Sequence, residues 1–182
     1  REFLLPNAFN AKHTKMLKDA VNIPVFIGHN IFSPEDAEKM LAEGNADFVA
    51  LGRSQLAEPA WAKKAKEGRA SDIKPCINCL IGCIDRGMLS HTPIHCTVNP
   101  SLYRFECKPV EKAETRKQVA VVGAGPAGCE AALTASKRGH QVTIYEKRCI
   151  GGAMIEASKP ENKANIKRLI HYYEDHIMHD PN

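Results

Sequence analysis

No long uninterrupted apolar run occurs in this 182-residue chain. A bilayer-spanning helix needs about 20 such residues, so none is expected. Long basic runs are missing too. The 25 Lys and Arg and 21 Asp and Glu are mixed along the chain and leave a net charge of +4, which gives nucleic acid no electrostatic footprint. No charged-then-apolar leader opens the sequence. Without a secretory signal, the seven cysteines point away from a disulfide framework. They point toward metal or redox use in a reducing compartment, so a cytoplasmic location is expected. The rest of the composition, 43% hydrophobic and 25% charged, is ordinary for a globular protein of one or two domains. The chain opens on Arg1 rather than Met. Together with the half-built folds described below, this reads as an internal piece of a longer protein.

What is present begins with cysteine. Cys76, Cys79, Cys83 and Cys96 follow the pattern C-x2-C-x3-C-x12-C. Four thiolates spaced this way suit a [4Fe–4S] cluster, which is usually held by four cysteines. Gly82 lets the chain wrap closely around it. Zinc is the competing metal, although structural zinc sites usually pair two short knuckles and this pattern has one. Scattered buried thiols are the third reading. The surrounding stretch, residues 71–116, is rich in loops and proline and cannot build its own core. His91 and His95 within it read as solvated loop residues, Cys107 as a bystander thiol, and residues 111–117 (EKAETRK) as a linker.

Residues 1–70 alternate helices with short apolar runs. A helix is expected over 11–20, strands over 23–27 (IPVFI) and 47–51 (DFVAL), and further helices over 34–43 and 60–66. Ser33 and Pro34 supply a cap and a first helical residue. Continuous apolar strands separated by helices indicate a parallel sheet covered on both faces. Two strand–helix units cannot close a barrel, but they can be the last two of eight. The loops after the final strands of a (β/α)8 barrel commonly bind phosphate. Gly28 and Gly52 follow the two strands directly, and Arg53 adds a forked cation.

Residues 117–182 open with a strand over 118–122. The sequence Gly123-Ala124-Gly125-Pro126-Ala127-Gly128 follows, then a helix to about residue 138, a strand over 141–145, and Glu146. This is the dinucleotide fingerprint in its required context. Gly123 makes the turn, Gly125 admits a pyrophosphate, and Gly128 lets helix and strand pack. Glu146 would accept hydrogen bonds from a ribose, which favours FAD or NAD(H) over a 2′-phosphorylated cofactor. Gly151-Gly152 suggests a second close approach. Cys129 reads as packing, and Cys149 as packing or an exposed thiol. A last helix, about 162–179, carries an apolar stripe of Ile166, Leu169, Ile170, Tyr173 and Ile177 that needs a sheet to cover.

The order of these parts resembles the iron–sulfur flavoenzymes of the old yellow enzyme superfamily, which include enoate and dienoyl-CoA reductases and trimethylamine dehydrogenase. The resemblance implies an α/β protein comprising the C-terminal end of a TIM barrel (residues 1–70), an iron–sulfur segment and linker (71–116), and the start of a Rossmann-like FAD-binding domain (117–182). It implies FMN against Gly28, Asn30, Gly52, Arg53 and Ser54, where several relatives have a basic residue at the position of Asn30. It implies a cluster on Cys76, Cys79, Cys83 and Cys96. It further implies FAD on Gly123, Gly125, Ala127, Gly128, Glu146, Gly152, Ala153 and Lys163; many relatives have Gln in place of Ala153. NADH would supply electrons to reduce the activated C=C bond of a small enoate, enone or acyl-CoA. No catalytic residue falls within the chain, which on its own should not turn over. Homo-oligomers fit the resemblance, and no membrane or nucleic-acid partner is implied. The alternatives are an amine dehydrogenase and a non-enzymatic electron-transfer or zinc module.

Overall fold

The computed structural model describes residues 8–102 and 110–182, so the expectation for Cys107 lies outside the described residues. The chain divides into two compact units, Arg1–Tyr103 and Arg104–Asn182.

The first unit begins with α1 (Ala11–Ala20), β1 (Phe26–Ile27), α2 (Pro34–Ala42) and β2 (Phe48–Val49). β1 and β2 are parallel, with Phe26 opposite Phe48 and Ile27 opposite Val49. The α2 start is built as its sequence dictates. Ser33 Oγ accepts from the Asp36 N–H at 3.1 Å, and Pro34 occupies the first turn, where its missing N–H costs nothing. One sheet face is buried: Ile27 packs with Ile31, Met40 and Ala46, backed by Val49 and Leu51. The other face carries Phe26 and Phe48, stacked at 4.8 Å yet 62% and 50% exposed. The expected covering of both faces is therefore met on one face only. A pair of strands has one flank for the helices that follow it, and further strands would be needed to enclose the phenyl rings.

β2 leads through Gly52 into α3 (Arg53–Ala57) and then α4 (Trp61–Lys66); α3 is absent from the sequence reading. Glu58 ends α3. Its carboxylate accepts from Lys64 Nζ at 2.6 Å, from the Ala60 N–H at 3.0 Å and from the Lys74 N–H at 3.4 Å. Lys64 also donates to the Asp72 carbonyl at 2.8 Å. Residues beyond 71 are thus fastened to the α3–α4 corner, and Asn99 Nδ2 adds a bond to the Leu56 carbonyl at 2.9 Å.

The middle segment is not all loop, as its composition suggests. Ile81–Leu89 is a π helix. Its wide turns are carried by bonds five residues apart, Asp85 N–H to Leu80 O at 3.0 Å and Ser90 N–H to Asp85 O at 2.8 Å. Such helices are rare and frequently occur at functional sites. Periodicity tuned to 3.6 or 2 residues misses a wider helix.

The second unit pairs β3 (Gln118–Val122) with β4 (Gln141–Tyr145) in parallel, Gln118 opposite Gln141 and Val122 opposite Tyr145. Between them α5 (Pro126–Lys137) buries Cys129, Ala132, Leu133 and Ser136. α6 (Ala153–Ala157) and α7 (Asn165–Met178) follow. The α7 stripe buries Leu169, Ile170 and Tyr173, but not chiefly on a sheet as expected. α7 packs on α5 and α6, and Tyr173 Oη donates to Glu130 Oε2 at 3.0 Å. α5 covers one face of the two strands, and the opposite face is left exposed at Val122 and Tyr145. Among the described residues no helix is long and apolar enough to cross a membrane.

Candidate cofactor sites

In the first unit the loops after β1 and β2 face each other across a cavity lined by His29, Asn30, Gly52, Arg53 and Ser54, with Ile84 and Met88 from the π helix. Asn30 is 2% exposed and Ser54 3%; Ser54 Oγ donates to the Ile31 carbonyl at 2.7 Å. A Cβ on Gly52 would meet nothing within 4 Å, whereas one on Gly28 would touch Ala50 at 3.7 Å. Gly28 thus packs against the residue that follows β2, and Gly52 opens toward space. Arg53 Nη2 donates to Asn30 Oδ1 at 2.8 Å, Nη1 donates to Asn78 Oδ1, and the guanidinium lies 5.7 Å from the centre of the Phe32 ring.

Arg53 also lines a second cavity, whose wall includes Cys76, Cys79, Cys83 and Cys96. All four thiols are free. Two local devices gather them. The left-handed residues Asn78 (φ 55°) and Leu80 (φ 62°) fold the chain between the first three. Gly82 then lets the returning chain approach: its carbonyl accepts from the His95 N–H at 2.9 Å, and a Cβ there would stand 2.3 Å from the His95 carbonyl. This contact delivers Cys96. The Asn78 N–H donates to Cys76 Sγ at 3.4 Å, and Thr97 Oγ1 lies 3.2 Å from Cys79 Sγ. His95 is exposed yet lines this cavity, and His91 is exposed.

Burial pushes the Cys76 thiol up to about 11, opposed by the Asn78 N–H and the Arg53 charge and reinforced by Cys96 and Cys79. Burial raises Cys83 as well, with Cys79 adding to it. Thiolates crowded this way need cationic charge at their centre. Among the described residues, no three His, Cys, Asp or Glu side chains close on a single ion. The four sulfurs line one cavity together.

In the second unit the glycines divide their work. Gly123 has φ +96°. A Cβ on Gly128 would lie 1.9 Å from the Gly123 carbonyl, whereas one on Gly125 would meet nothing within 4 Å. Gly125 caps α5 and Pro126 begins it, so the first N–H groups of the helix, Ala127 among them, have no carbonyl within the helix to bond. Glu146 Oε2 accepts from the Ala124 N–H at 2.8 Å and Oε1 from the Arg148 N–H at 2.9 Å. These two donors hold its carboxyl below the usual value. The Gly151 N–H donates to the Ala124 carbonyl at 2.8 Å, and a Cβ on Gly152 would come 2.9 Å from Gly125 Cα. The second glycine pair is therefore pressed against the first loop. Ala153 begins α6, exposed, and Lys163 stands exposed in a 3-10 turn. Cys129 is buried, its thiol donating to the Ala124 carbonyl at 3.3 Å, and Cys149 is exposed.

Sequence reasoning missed Asn78, Thr97 and the π-helix residues Ile84 and Met88. Only the spacing of Asn78 between two cysteines could have drawn attention to it.

Comparison with known proteins accounts for both units. Residues 6–72 match the NADH:flavin oxidoreductase / NADH oxidase family, and residues 117–179 match pyridine nucleotide-disulphide oxidoreductases. An NADH oxidase of Thermoanaerobacter brockii is 50% identical over 153 residues, 83% of this chain and 24% of the relative. A cinnamate reductase of Clostridium sporogenes is 34% identical over 163 residues, 89% of this chain and 24% of the relative. The solved structure of a 2-naphthoyl-CoA reductase with 2-naphthoyl-CoA superposes with a TM-score of 0.92 at 32% identity, covering 97% of this chain and 27% of that one. The chain spans about a quarter of the length of these relatives. These matches place residues 6–72 in the NADH:flavin oxidoreductase / NADH oxidase family and residues 117–179 with the pyridine nucleotide-disulphide oxidoreductases, and the chain as a whole is similar to one part of these relatives.

Proposed function

We propose that this chain is the cofactor-bearing middle of an NADH-dependent flavin and iron–sulfur oxidoreductase that reduces an activated C=C bond in an enoate, enone or dienoyl-CoA. In this reading the first unit is the C-terminal end of a (β/α)8 barrel and the second is the start of a Rossmann-like domain. The observation that carries it is the cavity walled by Cys76, Cys79, Cys83, Cys96 and Arg53, because the same Arg53 lines the cavity between the strand-end loops. Bound to these sites, FMN, a [4Fe–4S] cluster and FAD would supply hydride and single-electron transfer between NADH and the alkene.

The chain's own residues bind and orient. Arg53, Asn30, Gly52 and Ser54 would hold the FMN phosphate, with a forked cation and buried amide and hydroxyl groups around it. The four thiolates would ligate iron, and the π helix with the Gly82–His95 contact keeps Cys83 and Cys96 on one cavity. Gly125, the Ala127 N–H and the α5 N-terminus would face the FAD pyrophosphate. Glu146 is ionised at neutral pH and already tied to the loop, with lone pairs for a ribose hydroxyl. The exposed positions of Ala153 and Lys163 leave both open to the solvent from which a cofactor would enter.

The test is anaerobic expression from the whole reading frame, followed by assay of iron, acid-labile sulfide, FMN and FAD per chain. Four iron and four sulfide with both flavins, bleached by NADH and reoxidised by cinnamate-like acids or enones, is the expected result. Zinc without sulfide would overturn it. Tightly bound ADP in place of FAD, with reduction by amines, would transfer the protein to the amine dehydrogenases.

A further inference from the structure

The Arg53 guanidinium is gripped by two asparagines from different loops. Asn30 follows β1, and Asn78 lies between the first two cysteines. Both have left-handed backbones, φ 51° and 55°, a conformation Asn tolerates better than most residues. Both are buried, at 2% and 6% exposure. Each presents Oδ1 to a different Nη of the same guanidinium. These partners are neutral amides, so they fix the fork without cancelling its charge. Asn78 has a second engagement: its own N–H donates to Cys76 Sγ. One residue therefore touches a cysteine sulfur with its backbone and the phosphate-site arginine with its side chain.

Resting on the flavin and cluster reading above, we infer that Asn78 is a positioning residue for FMN. It sets the pose of Arg53 toward the flavin phosphate and so joins the cysteine loop to the phosphate cradle. Each contact to the guanidinium narrows its rotamer freedom, and the Asn78 amide removes part of that freedom before binding. Filling of the cysteine cavity fixes Cys76, and through it the loop that carries Asn78.

The test uses the complete protein, depleted of FMN but retaining its cluster. FMN and riboflavin are titrated separately, because riboflavin lacks the phosphate. Asn78→Gly keeps the backbone at a φ that glycine accepts and removes only the amide. The expected result is FMN affinity weaker by about tenfold, from loss of a hydrogen bond to a charged group, with riboflavin affinity, iron and sulfide unchanged. In an Arg53→Lys background, where the fork is already lost, Asn78→Gly should add little. Unchanged FMN affinity in Asn78→Gly would overturn the inference. So would equal losses of FMN and riboflavin together with iron, the pattern of a residue that merely shapes the loop. A wild-type protein that takes up no FMN or no iron would overturn the functional reading itself, and the inference with it.

Discussion

At the scale of single residues, glycines of identical type have opposite consequences. Gly128→Ala would place a methyl carbon 1.9 Å from the Gly123 carbonyl. The obstacle is backbone, so α5 must lift from the loop. We expect a loss of at least about 1–3 kcal/mol, as for overpacking elsewhere, seen in thermal melts together with loss of FAD. Gly125→Ala meets nothing within 4 Å and has an ordinary φ of −73°. Its stability should change by less than about 1 kcal/mol. FAD or ADP affinity should nevertheless fall, because the methyl points to where the pyrophosphate would lie. Calorimetry of the two variants with ADP separates packing from binding. Gly82→Ala belongs with the first kind, since its Cβ would stand 2.3 Å from the His95 carbonyl. It should displace Cys96 and lower iron and sulfide per chain, read by metal analysis.

At the scale of elements, the α3–α4 corner and the entry to the cysteine segment share one carboxylate. Burial raises the Glu58 carboxyl, but Lys64 and the Ala60 and Lys74 N–H groups outweigh it, leaving the group below its usual 4.5. A depressed carboxylate stabilises fully above its unfolded value and loses that stabilisation as pH falls through the folded value. Glu58→Gln should therefore cost roughly 1–3 kcal/mol at neutral pH. The gap between variant and wild-type melting temperatures should be full above the usual carboxylate value of 4.5 and narrow as pH falls below it, which a pH series of melts would reveal. Elements were unevenly legible from sequence. The α1, β3 and β4 bounds are those expected, because caps, glycines and apolar spacing agree there. α3 and the π helix were not seen. One is a single turn and a half, and the other has a repeat that amphipathic patterns do not encode.

At the scale of the molecule, each of the two units carries one pair of parallel strands among the described residues. The middle segment hangs on the first unit through Glu58, Leu56 and Arg53. On the cluster reading proposed above, removing iron with a chelator should loosen residues 71–102 while β3, β4 and α5 keep their protection. Hydrogen exchange of the complete protein, with and without its iron, checks this. The sequence by itself determined the order of parts and the candidate residues within each. Cysteine spacing, the glycine fingerprint and the acid after a strand are local patterns, and local chemistry makes them specific. Tertiary structure alone decided which of these residues meet. It brought Cys96 back across Gly82, pressed Gly152 on Gly125, turned Gly28 toward Ala50, and set Arg53 between Asn30 and Asn78. Those contacts join residues 13 to 27 positions apart. Their geometry depends on how the strands pair and the loops close, which no short window of sequence specifies.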